Sequence, residues 1–329
     1  MSKTIFIIGI GGKTGTMFAQ ELKETGNVFG IGLEREIKII KEKKLYIESV
    51  PEKPEVFEGK AIESSEFQSA PLPDIIFLAT KNPVGPVVKY YYQKIKKREK
   101  LPALVLSQNG ISASREAKKT LEEILDKEAE RVPIIRVSLF NPVDGRLIND
   151  KIYINYSLPI RLSFGVFSGP KDTKEIREVF KIAGIEAEEI APENVENMEF
   201  SKLFLNLIGM ASAARRLSVE DGFRDEEIFR EEMEALREYV KVVRLTGGGF
   251  LNFSHYPVKL MISLINNLPV SLQVLYREKL GRLINKGRSG KPKQLDEIDY
   301  YNGAVVELGK RVGIPTPVNS KILDRAKQL

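Results

Sequence analysis

Short apolar runs bounded by glycine or proline recur through the first part of the chain. The run Thr4–Ile8 is continuous, rich in β-formers and followed directly by a glycine, which is typical of a strand buried on both faces of a parallel sheet. Apolar residues at helical spacing follow as far as Gly26, and a second strand is predicted near Val28–Ile31. The pattern therefore predicts a strand, a glycine turn, a helix and a second strand.

The alternation of strand-like and helix-like segments continues. Three further apolar runs are Asp74–Thr80, Ala103–Ser107 and Pro133–Ser138. Charged, helix-like stretches such as residues 113–129 separate them, and this order predicts a parallel sheet covered by helices on both faces. Residues 161–167 alternate and predict a later strand, followed by a helix at 171–182 and a short strand near 185–190.

The pattern changes after residue 191, where strand-like runs give way to long helix-like segments. These segments are 194–217, 224–246, 257–283 and 294–312. A chain of 329 residues also suits two domains. The sequence thus predicts an α/β domain over residues 1–190 and an all-α domain over residues 191–329.

The composition narrows the chemistry. The chain has no cysteine, which excludes disulfides, thiolate nucleophiles and cysteine-bound metal sites. Its only histidine is His255, so no multi-histidine metal site exists, and no metal is expected. Abundant Glu and Lys without Cys or Trp fit a thermophilic source. Any catalysis must rest on Lys, Glu, Asp, Asn, Ser or a cofactor.

Charge and hydropathy bear on partners and location. The net charge is +6, with acidic and basic residues interspersed, and this does not demand nucleic acid. The basic and aromatic segment Tyr90–Arg98 is interpreted as a helix with a half-buried aromatic face and a solvated basic side, rather than as an RNA-binding surface. Neither a signal peptide nor a membrane span is evident, so a cytoplasmic protein that binds no membrane is expected.

The first candidate site is a glycine-rich turn between the first strand and the first helix. Its candidate cofactor-binding residues are Gly9, Gly11, Gly12, Lys13, Thr14 and Gly15. Glycines there allow a tight turn and a close approach to a pyrophosphate, whose charge a helix N-terminus favours. The spacing is G-x-x-G-x-x-G rather than the usual G-x-G-x-x-G. A plain tight turn and a dinucleotide site both remain open, and the strand–turn–helix context favours the latter.

The end of the second strand bears on cofactor choice. A carboxylate there would bind a ribose hydroxyl and indicate NAD, whereas an arginine would pair with a 2′-phosphate and indicate NADP. Glu34 and Arg35 are neighbours at this point. The two cofactors and an ordinary surface ion pair all remain open.

Four polar residues are candidates because of where they fall. Lys81 and Asn109 follow the ends of strand-like runs, the edge where open α/β sheets bind ligands, although a solvated lysine and a simple Asn-Gly turn are the ordinary interpretations. Lys202 and Asn206 are four residues apart and share one face of a helix. On that mostly apolar stripe the lysine either extends to solvent or faces a cleft.

The last candidate is the segment 296–303, which contains Glu297 and is followed by residues 313–319 with two prolines. The ordinary interpretation is a charged helix start whose buried stripe is formed by Ile298, Tyr301 and Val305, followed by a proline-terminated connection.

Together and in this order, these motifs resemble the ketopantoate reductase (2-dehydropantoate 2-reductase) family over nearly the full length. The most distinctive element is Glu-Ile-Asp-Tyr-Tyr-Asn-Gly beginning at Glu297. The resemblance implies an α/β Rossmann-type domain followed by an all-α domain like the C-terminal domain of 6-phosphogluconate dehydrogenases. It also implies an active site in the cleft between them and NADPH-dependent reduction of ketopantoate to pantoate for coenzyme A synthesis, with NAD not excluded.

The resemblance also implies roles for single residues. Lys202 would be the general acid, and Glu297 would bind substrate and help to position Lys202. Asn206 would bind substrate, and Asn109 and Lys81 would lie where nicotinamide and substrate meet. Arg35 is the nearest counterpart of the arginine that marks NADP choice. The helical domain would bind substrate and could form a homodimer.

The chain departs from the family pattern at several positions. Met210 replaces a second asparagine, Phe200 replaces a tryptophan, and Ser289 cannot be assigned the family's serine role. These differences leave open a reductase of another 2-keto acid, or a protein of the same fold that binds cofactor without turnover. His255 is interpreted as a loop residue, with a proton relay as the alternative.

Overall fold

The computed structural model describes residues 3–285 and 290–329, so Ser289 lies outside the described residues. The chain forms two compact units. The first contains the residues up to Gln108 and Ala113–Val195, and the second contains Asn109–Ser112 and Glu196–Leu329.

The first unit is an α/β unit. Its strands are β1 (Lys3–Ile8), β2 (Gly26–Gly32), β3 (Leu45–Glu48), β4 (Glu55–Val56), β5 (Lys60–Glu63), β6 (Ile75–Leu78), β7 (Ala103–Leu106), β8 (Ile134–Leu139), β9 (Asp144–Ile148), β10 (Lys151–Asn155), β11 (Arg161–Ser168) and β12 (Glu186–Glu189). Its helices are α1 (Lys13–Leu22), α2 (Glu34–Lys41), α3 (Gly85–Ile95), α4 (Ala113–Leu125) and α5 (Lys174–Ile182). Short 3-10 helices cover Ser64–Gln68, Asp126–Arg131 and Pro192–Asn194.

Eight strands form the main sheet in the order β12-β11-β8-β7-β6-β1-β2-β5. Neighbouring strands run parallel except for β11, which is antiparallel to β8. Along β1, Ile5 and Ile7 belong to one buried cluster, whereas Phe6 and Ile8 belong to another. Because successive side chains of a strand point to opposite faces, this confirms the predicted sheet with apolar packing on both faces.

A second sheet was not predicted. Its strands lie in the order β4-β3-β10-β9, with β10 parallel to β3 across about a hundred residues of chain. The strands are short, and β9 is exposed throughout, so the hydrophobic alternation that marks a half-buried strand is weak here. The pairing is also non-local, and local pattern does not reveal it.

The second unit is helical in its described residues. Its helices are α6 (Val195–Leu207), α7 (Met210–Ala213), α8 (Val219–Arg224), α9 (Glu226–Leu245), α10 (Val258–Asn267), α11 (Val270–Leu275), α12 (Arg277–Asn285), α13 (Asn302–Val312) and α14 (Pro317–Lys327), with a 3-10 helix at Ile298–Tyr300. The predicted order of an α/β unit and a helical unit is confirmed. Within residues 3–285 and 290–329, no helix has both the length and the apolar character needed to cross a bilayer.

Several predicted helices differ in extent. The segment 194–217 is broken at Gly209, whose φ of +92° lies in the left-handed region. The segment 257–283 forms α10, α11 and α12, with Pro269 at the first break. The predicted proline-terminated connection after α13 is short, because α14 begins at Pro317. Proline is well suited to the first turn of a helix, since its missing N–H has no intrahelical partner there.

Candidate functional site

The glycine turn joins β1 to α1 in the first unit. Gly9 has a φ of +97°, and the N–H groups of Gly9 and Ile10 both donate to the Ile31 carbonyl of β2, at 2.9 and 3.1 Å. The Gly12 N–H donates to the Gly9 carbonyl at 2.9 Å, and Thr16 Oγ1 donates to the Ile10 carbonyl at 2.7 Å. These bonds tie the turn to the neighbouring strand and to its own helix.

Close packing explains why glycines occupy this turn. A Cβ atom at Gly15 would overlap the Gly9 carbonyl oxygen, and one at Gly9 would lie 3.1 Å from the Ala79 carbonyl. Gly11 and Gly12 lie in the exposed part of the glycine turn. The half-buried Lys13 and Thr14 start α1, so their N–H groups belong to the open end of a helix. The turn fits the pyrophosphate of a dinucleotide because backbone can approach it closely and a helix N-terminus favours its charge.

A carboxylate that the sequence interpretation missed lies beside this turn. Glu36 Oε2 accepts a hydrogen bond from the Leu33 N–H at 2.8 Å, which caps α2. A Cβ atom at Gly11 would lie 2.6 Å from Glu36 Oε1, and one at Gly32 would lie 2.8 Å from Glu36 Oε2. The Glu36 side chain therefore reaches back from α2 over the glycine turn and the end of β2. The signal in the sequence was a glutamate at the third position of a helix.

The other candidates of the first unit are placed as follows. Glu34 and Arg35 are both exposed in the first turn of α2. Lys81 is exposed and follows the end of β6 by three residues. Asn109, which the sequence placed after β7, belongs to the second unit.

The second unit brings three predicted site residues into one hydrogen-bond network. Asn109 Nδ2 donates to Glu297 Oε2 at 2.9 Å, and Asn206 Nδ2 donates to Asn109 Oδ1 at 3.1 Å. Tyr301 Oη donates to the same Glu297 oxygen at 3.1 Å. Tyr301 is buried and the other three are half-buried. The network uses both ends of the Asn109 amide and fixes its orientation.

Glu297 does not lie within a regular α-helix, as the charged-helix interpretation required. It precedes the 3-10 helix Ile298–Tyr300, and α13 begins only at Asn302. The predicted buried stripe of Ile298, Tyr301 and Val305 is confirmed, with exposures of 5, 8 and 0%. This irregular entry lets Tyr301 be buried while its hydroxyl still reaches the Glu297 carboxylate.

Lys202 lies one turn before Asn206 on α6, and both are half-buried. Leu203 and Phe204 are buried on the remaining surface of the helix. The preceding turn is fixed by Ser201, whose Oγ donates to the Asn197 carbonyl and accepts from the Leu251 N–H, both at 2.7 Å. The Lys202 side chain thus starts from a rigid turn next to the asparagine network.

Two charged residues that the sequence did not single out hold the end of α6. The fully buried Glu232 carboxylate accepts from the Gly209 N–H at 2.7 Å and from the Ala211 N–H at 2.9 Å. Burial raises the pKa of Glu232 to about 7, although these N–H donors and the Lys293 charge favour its ionised form. Lys293 Nζ donates to the carbonyls of Asn206 and Ile208. Together they stabilise the break after Asn206.

The residues at which the chain departs from the family pattern have clear positions. Met210 and Phe200 are buried, with exposures of 0 and 3%, so both serve the core of the helical unit. His255 is exposed in the turn between Phe253 and Tyr256.

Comparisons with known proteins cover both units. The family model described as ketopantoate reductase PanE/ApbA matches residues 5–132, and the model for the C-terminal part of that family matches residues 194–329. A search of curated proteins finds no match.

Solved structures share the fold. A PanE/ApbA family ketopantoate reductase from Ralstonia eutropha JMP134 is 18% identical, with 99% of this chain and 97% of that chain covered and a TM-score of 0.74. D-mandelate dehydrogenase in a ternary complex with NADH and anilino(oxo)acetate is 18% identical, with coverages of 99 and 97% and a TM-score of 0.70. A dimeric ketopantoate reductase from Staphylococcus aureus is 17% identical, with coverages of 99 and 98% and a TM-score of 0.62.

The glycine turn, the helical second unit and the two matching family models define the class, an NAD(P)H-dependent 2-keto acid reductase. The chain belongs to the ketopantoate reductase PanE/ApbA family.

Proposed function

We propose that this chain reduces the keto group of ketopantoate to give pantoate, in the cytoplasm, as a step of pantothenate and coenzyme A synthesis. The observation that carries the proposal is the network of Asn109, Asn206 and Glu297 one helical turn from Lys202. It occurs in a chain whose first unit has a glycine turn that fits a dinucleotide. The family resemblance favours NADPH as the reductant, and NADH is the alternative.

Each candidate side chain has a role in the proposed reduction. A reduced nicotinamide dinucleotide held by the glycine turn would supply a hydride to the keto carbon. Lys202, as an ammonium, stabilises the developing alkoxide and donates a proton to it. Asn206 and Asn109 offer amide groups to substrate, and Glu297 orients Asn109 and accepts from a substrate hydroxyl. Lys81, at the end of β6, lies at the edge where parallel sheets bind ligands and would contact cofactor and substrate.

A different 2-keto acid is the second candidate. Met210 stands where the family has an asparagine and is buried in the core, so this position offers no amide group to a substrate. A panel of 2-keto acids with NADPH and NADH, followed at the nicotinamide absorbance, tests both candidates. Turnover of ketopantoate above all others supports the proposal, and turnover of another acid alone replaces it. Cofactor binding without any turnover would indicate a sensor.

The role of Lys202 is tested by Lys202→Met, which keeps most of the side-chain stem. General acids typically contribute about 10²–10⁴-fold, so kcat is expected to fall by that factor while cofactor affinity stays nearly unchanged. Lys310→Met is the control, because Lys310 is exposed at the end of α13 and pairs with Glu307. Wild-type kcat in Lys202→Met would exclude this role.

We also propose a homodimer formed through α10, α11 and α12. Large apolar side chains are exposed along these helices: Leu260, Leu264, Leu272, Leu275, Tyr276 and Leu283. Their exposures range from 45 to 73%, so pairing these helices with those of a second copy would remove apolar surface from water. Light scattering should give twice the chain mass for the wild type and the chain mass for Leu275→Glu. A monomeric wild type would refute the dimer.

A further inference from the structure

We propose that Glu36 makes this chain select NADH over NADPH. The inference rests on the proposed function, because it assumes that the glycine turn holds a nicotinamide dinucleotide. It assigns cofactor choice, which the neighbouring Glu34 and Arg35 left open in the sequence, to one residue. It also departs from the NADPH that the family resemblance favours.

The position of Glu36 is the first argument. Its carboxylate lies against Gly11 of the glycine turn and against Gly32 at the end of β2. A dinucleotide whose pyrophosphate occupies such a turn places its adenosine ribose toward the end of the second strand. The 2′ position of that ribose would therefore meet the Glu36 carboxylate.

The charge of Glu36 is the second argument. A ribose hydroxyl can donate to a carboxylate in a charge-assisted hydrogen bond. An ionised 2′-phosphate has no proton to donate in a hydrogen bond, and its negative charge repels a carboxylate at short range. The same group therefore favours NADH and disfavours NADPH.

The surroundings of Glu36 strengthen its effect. Its Oε2 already accepts from the Leu33 N–H, so the carboxylate closes the start of α2, where a phosphate could otherwise be bound by backbone N–H groups. Arg35 is exposed, so solvent screens its attraction for a phosphate.

The test compares cofactor binding, measured without substrate by the change in nicotinamide fluorescence. Wild type, Glu36→Gln and Glu34→Gln are each titrated with NADH and NADPH at low salt. Glutamine at position 36 can still accept from the Leu33 N–H, so the helix cap is retained while the charge is removed. Glu34→Gln removes the same charge from an exposed site in the same turn. It tests whether the other carboxylate near the end of β2 makes the selection instead.

We expect the wild type to bind NADH at least tenfold more tightly than NADPH. Glu36→Gln should lower the ratio of the NADPH Kd to the NADH Kd at least fivefold, mainly by lowering the Kd for NADPH. Glu34→Gln should leave this ratio within about twofold of the wild-type value. Raising the salt concentration should narrow the wild-type ratio, because screening weakens the repulsion of the phosphate.

Three outcomes would overturn the inference. A wild type that binds NADPH as tightly as NADH contradicts it without the use of any variant. If the ratio of the two Kd values is unchanged in Glu36→Gln, or changes equally in Glu34→Gln, then Glu36 does not determine the cofactor preference. All three leave the proposed function intact, whereas a wild type that binds neither cofactor would refute the proposed function and this inference together.

Discussion

Replacing Asn109 with aspartate should break the network in the helical unit, and a second substitution should repair it. Asn109 Nδ2 donates to Glu297 Oε2 at 2.9 Å. In Asn109→Asp, an anionic oxygen replaces this donor, while the acceptor for Asn206 remains. The added Glu297→Gln substitution restores a donor and an acceptor at the same two positions, with the hydrogen bond reversed.

The expected cost follows from the geometry. Two unit charges about 4 Å apart repel by about 1 kcal/mol in water and about 4 kcal/mol at an effective dielectric constant of 20. Both side chains are half-buried, so the repulsion lies between these limits. Loss of a hydrogen bond to a charged group adds about 1.5–3 kcal/mol, partly offset by solvation of the new carboxylate. Asn109→Asp should therefore lower the free energy of unfolding by about 2–4 kcal/mol at pH 7.5.

Urea denaturation followed by far-UV circular dichroism measures this change in the wild type, both single variants and the double variant. The double variant should recover at least half of the loss. The loss in Asn109→Asp should also shrink toward pH 4, where one of the two carboxylates takes up a proton. If the two substitutions are simply additive, or if Asn109→Asp is as stable as wild type, the hydrogen bond between these side chains does not exist in solution.

Two further predictions concern stability. Because Glu232 has a pKa of about 7 in the folded chain against 4.5 ordinarily, its protonation stabilises the fold below pH 4.5, and this contribution of about 3 kcal/mol is lost as the pH rises through 7. Glu232→Gln should flatten that part of the pH profile in urea denaturation, and an unchanged slope would contradict the assignment. Gly15→Ala should lower the melting temperature by several degrees, because its Cβ atom would overlap the Gly9 carbonyl oxygen. Gly303→Ala in α13 is the control, since no neighbouring atom lies within 3.6 Å of its added Cβ, and it should be neutral or stabilising.

Local pattern was enough to predict the main architecture. Continuous apolar runs such as Thr4–Ile8 mark strands buried on both faces, and the long helical periodicity after residue 191 marks the second unit. The second sheet was not predicted, because β3 and β10 are short and pair across about a hundred residues of chain. The helix that begins at Pro317 was not predicted, because proline occurs both where helices end and where they start.

The network around Asn109 could be assembled from sequence only through a family resemblance. Asn109 and Glu297 are 188 residues apart, and no spacing rule connects them. Lys293 and Glu232 gave no signal, because a lysine in a polar segment and a glutamate in an amphipathic helix look ordinary until their burial is known. Glu36 was not predicted to lie at the turn, because in sequence it is further from the end of β2 than Glu34 and Arg35. Only the helical conformation of α2 brings its side chain back over the turn.

The segment Asn109–Ser112 lies between β7 and α4 in the chain but belongs to the helical unit. A single cut in the chain therefore does not separate the two units. A chimera that joined the α/β unit of one relative to the helical unit of another at a single crossover near residue 195 would inherit Asn109 from one parent and Glu297 from the other. A functional chimera within this family requires that Asn109–Ser112 and the helical unit come from the same parent.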